Sequence, residues 1–374
     1  MRVSASAHPR CTVTEVRRPA ARPLHEWDAF VDRLSGDTVQ KSGWADLRAT
    51  AGFTARYFFV HDHGDLVGGA QLLERRLPLL GRVGYVSNAP LIDDAVGDSA
   101  IGVPALCAHL LRAARAHLSM LVVQPPEGRE DVSDFLLAQG LRPSEAGIAP
   151  AATLRLRLDR CEEEIRAGLG RRLRQWTRQW PRRGVTVRPA GRRDLGAVAA
   201  LLAETGRHQG FDSFPEDYLR TMYDIFADRG ELQIMVGEVA GVPVACEVLT
   251  GCGDVVRSRF GGTDRSAEVQ HLNVSAAVEW HSILWARSAG YRWFDFGGVL
   301  PETRASLSGA PEDLGPIPGP DRFKLRFGGD LYIYPQAVEW FRSPLLRAGY
   351  DLTNRSEYGR RAVRVVRGRI RTAR

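Results

Sequence analysis

The sequence predicts an α/β protein with mixed sheets, built from two similar domains in tandem. Its 374 residues suit two domains of about 100–200 residues each. The segments 58–72 and 234–248 share one pattern, in which an apolar strand, an acidic residue and a glycine-containing turn precede a second apolar strand. This pattern is typical of a β-hairpin. The elements around both hairpins follow one order, which indicates a tandem duplication.

The first predicted domain covers residues 12–160. A strand, CTVTEV, precedes two helices, HEWDAFVDRL and GWADLRATAG, and the hairpin follows them. After the hairpin come the strand RVGYVSNAPLI, the helix PALCAHLLRAARAHL, the strand SMLVVQPP, the helix REDVSDFLLAQGL and a last strand, AATLRLRL. The helices are predicted from apolar residues at i, i+3, i+4 and i+7, as in Cys107, Leu110, Leu111 and Ala114.

The second predicted domain covers residues 185–345 and repeats that order. The strand GVTVRPA precedes the helices RDLGAVAALLAETGR and PEDYLRTMYDIF, and then come the hairpin, the strand DVVRSRFGG, the helix NVSAAVEWHSILWARSAG and the strand YRWFDFGG. Strand, two helices, three antiparallel strands, helix and strand is the order of the Gcn5-related N-acetyltransferase (GNAT) fold. The predicted fold is therefore two tandem GNAT-like domains.

Three further segments flank these domains. Residues 1–11 are predicted to be a flexible N-terminus, and residues 161–184 a basic connecting helix. Arginines interleaved with Trp176 and Trp180 suit a helix that tracks a phosphate backbone and stacks on bases. The alternative is a solvated helix whose tryptophans face the core. The arginines that would contact such a nucleic acid are Arg171, Arg172, Arg174, Arg178, Arg182 and Arg183. Residues 346–374 form a basic tail that suits anionic lipid or RNA, or has no specific partner.

Composition indicates a cytoplasmic protein with an anionic partner. The net charge is +7 and the pI about 9.4, which favours nucleic acid or an acidic membrane surface. The five cysteines are scattered without metal-ligand spacing, so we expect reduced thiols and no metal. No apolar run approaches the roughly 20 residues needed to cross a bilayer. We expect a monomer, with peripheral contact at the inner face of the membrane as an option.

The tripeptide Phe-Gly-Gly occurs three times in the second half, and two copies end neighbouring predicted strands. Paired glycines permit positive φ and close approach of another backbone. The candidate cleft glycines are Gly261, Gly262, Gly297 and Gly298. Neither half carries the Arg/Gln-x-x-Gly-x-Gly/Ala turn with which GNAT enzymes bind the coenzyme A pyrophosphate, so a coenzyme A donor is disfavoured.

The third copy lies in DRFKLRFGG, and this segment together with RFGGTDRSAEVQHLNVSAAVEWHSILWARSAGYRWFDFGG resembles the FemABX family. The resemblance extends over roughly residues 12–341, including VQKSGWADL and ETGRHQGF. FemABX proteins are aminoacyl-tRNA-dependent peptidyltransferases of two GNAT-like domains. Their acceptor is an amine of a peptidoglycan precursor stem peptide or of a peptide antibiotic. The long coiled-coil arm of some relatives is not visible here.

The resemblance implies particular site residues. Phe323 and Lys324 match the Phe-Lys pair placed against the tRNA 3′ end and the reacting ester. Arg207 matches an arginine that holds the acceptor, and Tyr218 falls near a frequent site tyrosine. Lys41, predicted on the rim of the first domain, is a further candidate for an acceptor phosphate or carboxylate. The implied co-substrate is aminoacyl-tRNA, with no cofactor.

Lys324 is also notable on chemical grounds, because only it and Lys41 are lysines among 51 Lys+Arg residues. An aminoacyl ester is already activated, so the enzyme must orient an amine and stabilise an oxyanion. A rigid point cation beside the developing negative charge fits that task, and a compact ammonium is not equivalent to a bidentate guanidinium. Asp295 is the carboxylate best placed in the sequence to accept the amine proton, although a strand-end aspartate is more often a turn cap.

Two alternatives remain open at the level of sequence. One is an acyl-coenzyme A-dependent N-acyltransferase on the same fold. The other is a non-catalytic basic module that binds RNA or a membrane. The missing pyrophosphate turn argues against the first. The second would be favoured if Lys324→Ala left activity or ligand binding unchanged while removal of the Arg171–Arg183 charges abolished binding.

Overall fold

The computed structural model describes residues 11–78, 80–95, 99–147, 149–308 and 317–355. The predicted N-terminal segment, apart from Cys11, and the tail beyond residue 355 lie outside these residues. The chain forms two compact units. Unit 1 contains residues 1–45, 53–149 and 335–350, and unit 2 contains residues 46–52, 150–334 and 351–374.

The strands are β1 (Cys11–Val16), β2 (Thr54–Asp62), β3 (Asp65–Leu77), β4 (Gly81–Ser87), β5 (Leu91–Ile92), β6 (Met120–Gln124), β7 (Arg142–Pro143), β8 (Ala152–Arg157), β9 (Val185–Pro189), β10 (Leu232–Val239), β11 (Val242–Cys252), β12 (Val255–Thr263), β13 (Trp293–Gly298), β14 (Asp330–Ile333) and β15 (Val338–Phe341). The α-helices are α1 (Ala21–Arg33), α2 (Ser42–Ala49), α3 (Ser99–His117), α4 (Glu130–Ala138), α5 (Glu162–Gly168), α6 (Arg171–Gln179), α7 (Leu195–Gln209), α8 (Glu216–Phe226), α9 (Ala267–Gln270), α10 (Val274–Ser288), α11 (Pro301–Leu307), α12 (Gly319–Leu325) and α13 (Pro344–Arg355).

The two sheets repeat one strand order, which confirms the predicted tandem GNAT-like fold. The first sheet begins β1-β2-β3-β4-β6, and the second ends β13-β12-β11-β10-β9, the same order written in reverse. In each sheet a hairpin joins the second and third of these strands, β2 to β3 and β10 to β11. Each sheet also contains one parallel pair, β4 with β6 and β12 with β13.

The strand after this repeated set is exchanged between the two halves of the chain. We expected residues 152–157 in the first domain, but β8 pairs with β13 and β14 in the second sheet. In return β15, from the end of the predicted second domain, pairs with β6 and β7 in the first sheet. The expected limits of the domains, at residues 160 and 345, therefore differ from those of the compact units. The backbone groups that pair strands are the same in every residue, so a strand's own sequence does not determine which distant sheet edge it joins.

The predicted connecting helix is two helices, α5 and α6, followed by a 3-10 turn at Pro181–Arg183. Leu169 and Gly170 are extended and interrupt the helix. The Gly170 N–H donates to the Arg326 carbonyl at 2.8 Å, so α6 begins beside the DRFKLRFGG segment. Trp180 is buried and donates its indole N–H to the Leu272 carbonyl, as the alternative interpretation of this helix expected of its tryptophans.

Candidate active site

The site lies where β12 and β13 separate. Their parallel pairing covers only Val255–Arg257 with Trp293–Asp295, although β12 continues to Thr263. In unit 1 the equivalent strands, β4 and β6, stay paired through Ser87 and Gln124, where both strands end. The predicted cleft between parting strands is thus present in the second half, and the first half has its strands closed at the same place.

The four predicted cleft glycines occupy positions with different structural requirements. Gly297 has φ of +77°, which a side chain would strain, and it lies against the Ser258 carbonyl across the gap. At Gly261 the only atom within 4 Å of an added Cβ is the Cys246 carbonyl oxygen, at 3.9 Å, so that position borders open space. Gly262 and Gly298 instead allow close packing, because an added Cβ would come within 2.7 Å of Leu201 and 2.4 Å of Pro150.

The Lys324 ammonium lies at the end of β13. It donates to the Gly298 carbonyl at 2.6 Å and to the Gly297 carbonyl at 3.4 Å. Burial lowers the pKa of Lys324, and the neighbouring carboxylates oppose that shift, Asp321 most strongly. The two carbonyls therefore hold a point cation at the mouth of the parted strands, and an ammonium has a third N–H to offer a ligand.

Asp295 is not placed as the expected proton acceptor. Its carboxylate is 2% exposed and accepts from the Thr153 hydroxyl, from Arg155 Nε at 3.1 Å and from the Gly297 N–H at 2.8 Å. Arg257 approaches within 3.5 Å. A carboxylate with two guanidinium groups and this many donors has no lone pair directed at an amine. Asp295 instead fixes the turn whose carbonyls hold Lys324.

Phe323 and the basic helix border one pocket. Phe323 packs edge-to-face on Phe327 with ring centroids 5.3 Å apart, and both line a pocket of about 490 Å³. The pocket opens at the N-terminus of α10 and is also lined by Trp176 and by four arginines. Those arginines are Arg171, Arg172, Arg265 and Arg326. An aromatic wall, guanidinium groups and a helix N-terminus together suit a phosphate beside a base.

Of the other basic residues of this segment, Arg174, Arg178, Arg182 and Arg183 are exposed but do not line the pocket. Arg183 stacks its guanidinium over the Trp176 ring at 4.7 Å. The predicted set of six arginines therefore divides into two at the pocket and four on the neighbouring surface.

The residues expected to bind the acceptor are not equally accessible. Arg207 is exposed in the last turn of α7. Tyr218 is buried, with its ring stacked on Phe214 at 4.3 Å, and Phe214 in turn contacts Phe260 of β12. Tyr218 thus supports the β12 side of the cleft from beneath.

Lys41 does not lie on a rim, where the sequence had led us to expect it. It is 1% exposed, and its ammonium pairs with Asp32 of α1 at 2.7 Å inside unit 1. The neighbouring Gln40 is buried too and bonds to the main chain of Gln71 and Ser87. A buried, paired ammonium stabilises this part of the unit, and its role toward an acceptor stays a prediction.

Two buried glutamates close to Lys324 were not predicted from the sequence. Glu247 of β11 is 3% exposed and Glu279 of α10 is 9% exposed. Burial raises the pKa of both, and the charge of Glu247 adds to the rise at Glu279. The detectable signal was a glutamate at a core position of an apolar pattern, in VPVACEVLT and in VSAAVEWHSIL.

Comparison with known proteins finds a domain match and several similar proteins. An acetyltransferase (GNAT) domain model matches residues 146–324, which span the parted strands and end at Lys324. Lipid II:glycine glycyltransferase of Staphylococcus aureus is 26% identical over 222 residues, 56% of this chain and 52% of that protein. The crystal structure of FemX superposes with a TM-score of 0.73 over 90% of this chain and 99% of that one, at 19% identity.

These matches support the predicted resemblance to the FemABX family. It spans about half the length of the curated relatives it matches. Among other tandem folds, a tandem GNAT protein from the clavulanic acid biosynthesis pathway superposes with a TM-score of 0.53 at 12% identity over 89% of this chain and 99% of its own length. That likeness concerns the fold alone. Among the described residues, none of the helices combines the length and the apolar character that crossing a membrane requires.

Proposed function

We propose that this protein is a FemABX-like aminoacyltransferase that moves an amino acid from aminoacyl-tRNA to an amine of a peptide acceptor. The supporting observation is the position of the Lys324 ammonium, held by two carbonyls where β12 and β13 part. A GNAT sheet admits its substrate at this place, so a cation there stands beside the reacting carbonyl.

The reaction needs no covalent enzyme intermediate and no cofactor. The acceptor nitrogen attacks the ester carbonyl carbon and an N–C bond forms. The carbonyl oxygen becomes an oxyanion, which the third Lys324 N–H stabilises. The bond to the 3′ oxygen then breaks, and the proton lost by the amine ends on that oxygen. Lys324 is thus the electrostatic catalyst, and Phe323 forms a wall of the donor site.

The pocket at the N-terminus of α10 suits the nucleotide end of the donor. Arg171, Arg172, Arg265 and Arg326 bring positive charge to it, and Trp176 and Phe323 supply aromatic faces. Phosphates prefer guanidinium groups and helix N-termini, and a terminal adenine prefers an aromatic face. Phe323 lines this pocket and the adjacent Lys324 holds the end of β13, so one short helix, α12, connects the nucleotide site to the site of chemistry.

A peptidoglycan precursor is the acceptor we propose. The S. aureus relative is named as acting on lipid II, and the exposed Arg207 offers a charge to a carboxylate or phosphate of such a precursor. A lipid-linked acceptor would place the enzyme at the inner face of the membrane, where the basic tail finds anionic headgroups.

The test is a donor assay with purified protein. Charged tRNA carrying a labelled amino acid is mixed with a peptidoglycan precursor peptide, and label in the peptide is measured. We expect transfer that RNase abolishes. Transfer from free amino acid and ATP after RNase treatment would contradict the proposal.

The same assay separates the coenzyme A alternative. The arginine-lined pocket would also accept a pyrophosphate, so acyl-coenzyme A is supplied as a second donor. Product from acyl-coenzyme A and none from charged tRNA would establish the alternative. A protein that binds tRNA and transfers nothing from either donor would support the non-catalytic alternative.

A further inference from the structure

Two acidic side chains occupy the apolar seam between β11 and α10. Ala245, Glu247 and Leu249 alternate on one face of β11, and the first and third belong to the buried core. On α10, Glu279 lies beside the core residues Ala276 and Trp280. Burying a carboxyl here costs stability unless a partner compensates. This departure from the core pattern therefore indicates a binding function.

The Glu247 carboxyl has no well-formed partner of its own. Ser258, Ser282 and Glu279 approach it and favour its ionised form, yet both carboxyl oxygens are buried without a hydrogen bond of good geometry. The Ser282 hydroxyl is also buried without a hydrogen bond of good geometry. Lys324 is near enough to both glutamates to lower the pKa of each. The seam thus holds acceptors that the described protein groups leave unused.

Open space lies next to these acceptors. Glu247 is paired directly with Gly261 in the β11–β12 ladder, and directly opposed residues point to the same face of a sheet. Gly261 is exposed and has no side chain, and an added Cβ there would meet no atom nearer than 3.9 Å. A small group that enters between the parted strands can therefore approach the Glu247 carboxyl past Gly261.

We infer that Glu247 and Glu279 form the subsite for the α-ammonium group of the amino acid being transferred. The inference rests on the proposed function, because an aminoacyl ester carries that ammonium one carbon away from the carbonyl that Lys324 serves. The subsite is common to all amino acids, and it places no demand on the side chain.

The charges support an ammonium over other groups. The buried cluster already contains one cation, Lys324, and a second cation in the same crevice needs a second negative charge. The other carboxylates near Lys324 are committed elsewhere, since Asp295 is held by arginines and Asp321 accepts from the Leu300 N–H and the Thr303 hydroxyl. Only the two glutamates can supply that charge among the groups described here.

The test compares two stable donor analogues that differ in one amine. One is the trinucleotide CCA ending in 3′-glycylamino-3′-deoxyadenosine, and the other ends in 3′-acetylamino-3′-deoxyadenosine. Glycine is chosen because it fits whatever side-chain pocket exists. We expect the wild type to bind the glycyl analogue at least about tenfold more tightly, as hydrogen bonds to charged groups allow. Glu247→Gln and Glu279→Gln should each lose this preference and keep the affinity for the acetyl analogue.

Glu339→Gln is the matched control. Glu339 is also a glutamate that is 2% exposed, but it accepts from Arg142 and Ser144 in unit 1. This variant should keep the wild-type ratio of affinities. An equal ratio in wild type, Glu247→Gln and Glu279→Gln would overturn the inference and leave the proposed function standing. If neither trinucleotide binds the wild type, the nucleotide donor itself is wrong, and the inference fails with it.

Thermal unfolding of each variant shows whether it is folded before its ratio is interpreted. The affinities of the wild type for the glycyl and acetyl analogues test the subsite without any variant. If the wild type binds both analogues equally, no ammonium subsite exists.

Discussion

At the level of single residues, the position of the Lys324 ammonium depends on a neighbour that was expected to do chemistry itself. Asp295 bonds to the Gly297 N–H, and Gly297 and Gly298 present their carbonyls to Lys324. Arg155 and Thr153 hold the carboxylate from the other side. Asp295 therefore has the place of a positioning residue, and in the proposed reaction its effect would pass through the location of the lysine.

The first prediction concerns Asp295→Asn. Removing the charge leaves two buried guanidinium groups without their counter-ion, so we expect a loss of about 3–5 kcal/mol in the free energy of unfolding. The transfer rate should fall, but its pH profile should keep the wild-type shape. A general base would make the rate rise with pH through its own titration, so loss of that limb in the variant would contradict the positioning role. Urea unfolding measures the loss of stability, and the transfer rate at a series of pH values measures the pH profile.

The second prediction uses the raised pKa of Glu279. The folded pair retains a proton at pH values where unfolded glutamates, with an ordinary pKa of 4.5, have lost it. The folded state then binds more protons, so stability is greatest below that pH and falls as pH rises through the folded pKa. Glu279→Gln should make this fall at pH values above 4.5 smaller. Urea unfolding at a series of pH values measures the slope, and equal slopes in wild type and variant would contradict the prediction.

Lys324 could be found from the sequence because lysine is rare in this chain and stands in a motif with Phe323. Its hydrogen bonds could not, since they depend on how Gly297 and Gly298 turn at the end of β13. No local pattern indicated that Lys41, the other lysine, would be buried against Asp32. The two lysines can therefore be assigned different roles only when their tertiary surroundings are known.

At the level of elements, the decisive feature is the short pairing of β12 with β13. Only three residue pairs join them in the described chain, and Ser258 and the residues that follow are not paired with β13. The β11–β12 ladder has an irregularity at the same level, between Val248 and Leu249. Strand β12 thus stays paired with β11, while β13 turns away at Gly297. The gap between β12 and β13 is the cleft.

The third prediction compares two adjacent glycines of β12. Gly262→Ala would bring a Cβ to 2.7 Å from the main chain of Leu201 in α7, which cannot move cheaply, so we expect a loss of about 1–3 kcal/mol in stability. Gly261→Ala has room and should be as stable as the wild type or slightly more so. It should nevertheless slow transfer, because the methyl group narrows the path to Glu247. Equal stability of the two variants in urea would contradict the packing argument.

The fourth prediction concerns α6. The double variant Arg171→Ala/Arg172→Ala should raise the KM for an aminoacylated tRNA minihelix by about tenfold or more, and it should weaken the dependence of this KM on salt concentration. Its kcat should be nearly unchanged. Arg178→Ala/Arg182→Ala is the control with the same loss of charge outside the pocket. Steady-state rates at several salt concentrations measure the effect. An equal KM for the two double variants would show that only overall charge matters.

The hairpins and long helices could be predicted because local apolar periodicity determines them. The partners of β8 and β15 could not, because each pairs with strands far away in sequence. The seven-residue helix α12 was also missed, since its Gly-Pro start and its short length give no helical pattern. The site is therefore formed largely by elements whose local sequence is ambiguous.

At the level of the whole molecule, the two sheets share one strand order but differ in how far their parallel strands stay paired. Strands β4 and β6 stay paired to their ends, whereas β12 and β13 part and carry the Phe-Gly-Gly motifs. The second copy thus has the features of a reaction centre, and the GNAT domain match over residues 146–324 falls on the same copy. The net charge of +7 suits a donor with many phosphates.

The most direct measurement is the single-turnover rate of amino acid transfer from charged tRNA to a peptidoglycan precursor peptide, for the wild type and for Lys324→Ala. Arg322→Ala, which removes an exposed cation two residues earlier on α12, is the control. We expect Lys324→Ala to lower the rate by about 10²–10³, while Arg322→Ala changes it little. Transfer by Lys324→Ala at the wild-type rate would contradict the role of the lysine and the mechanism built on it.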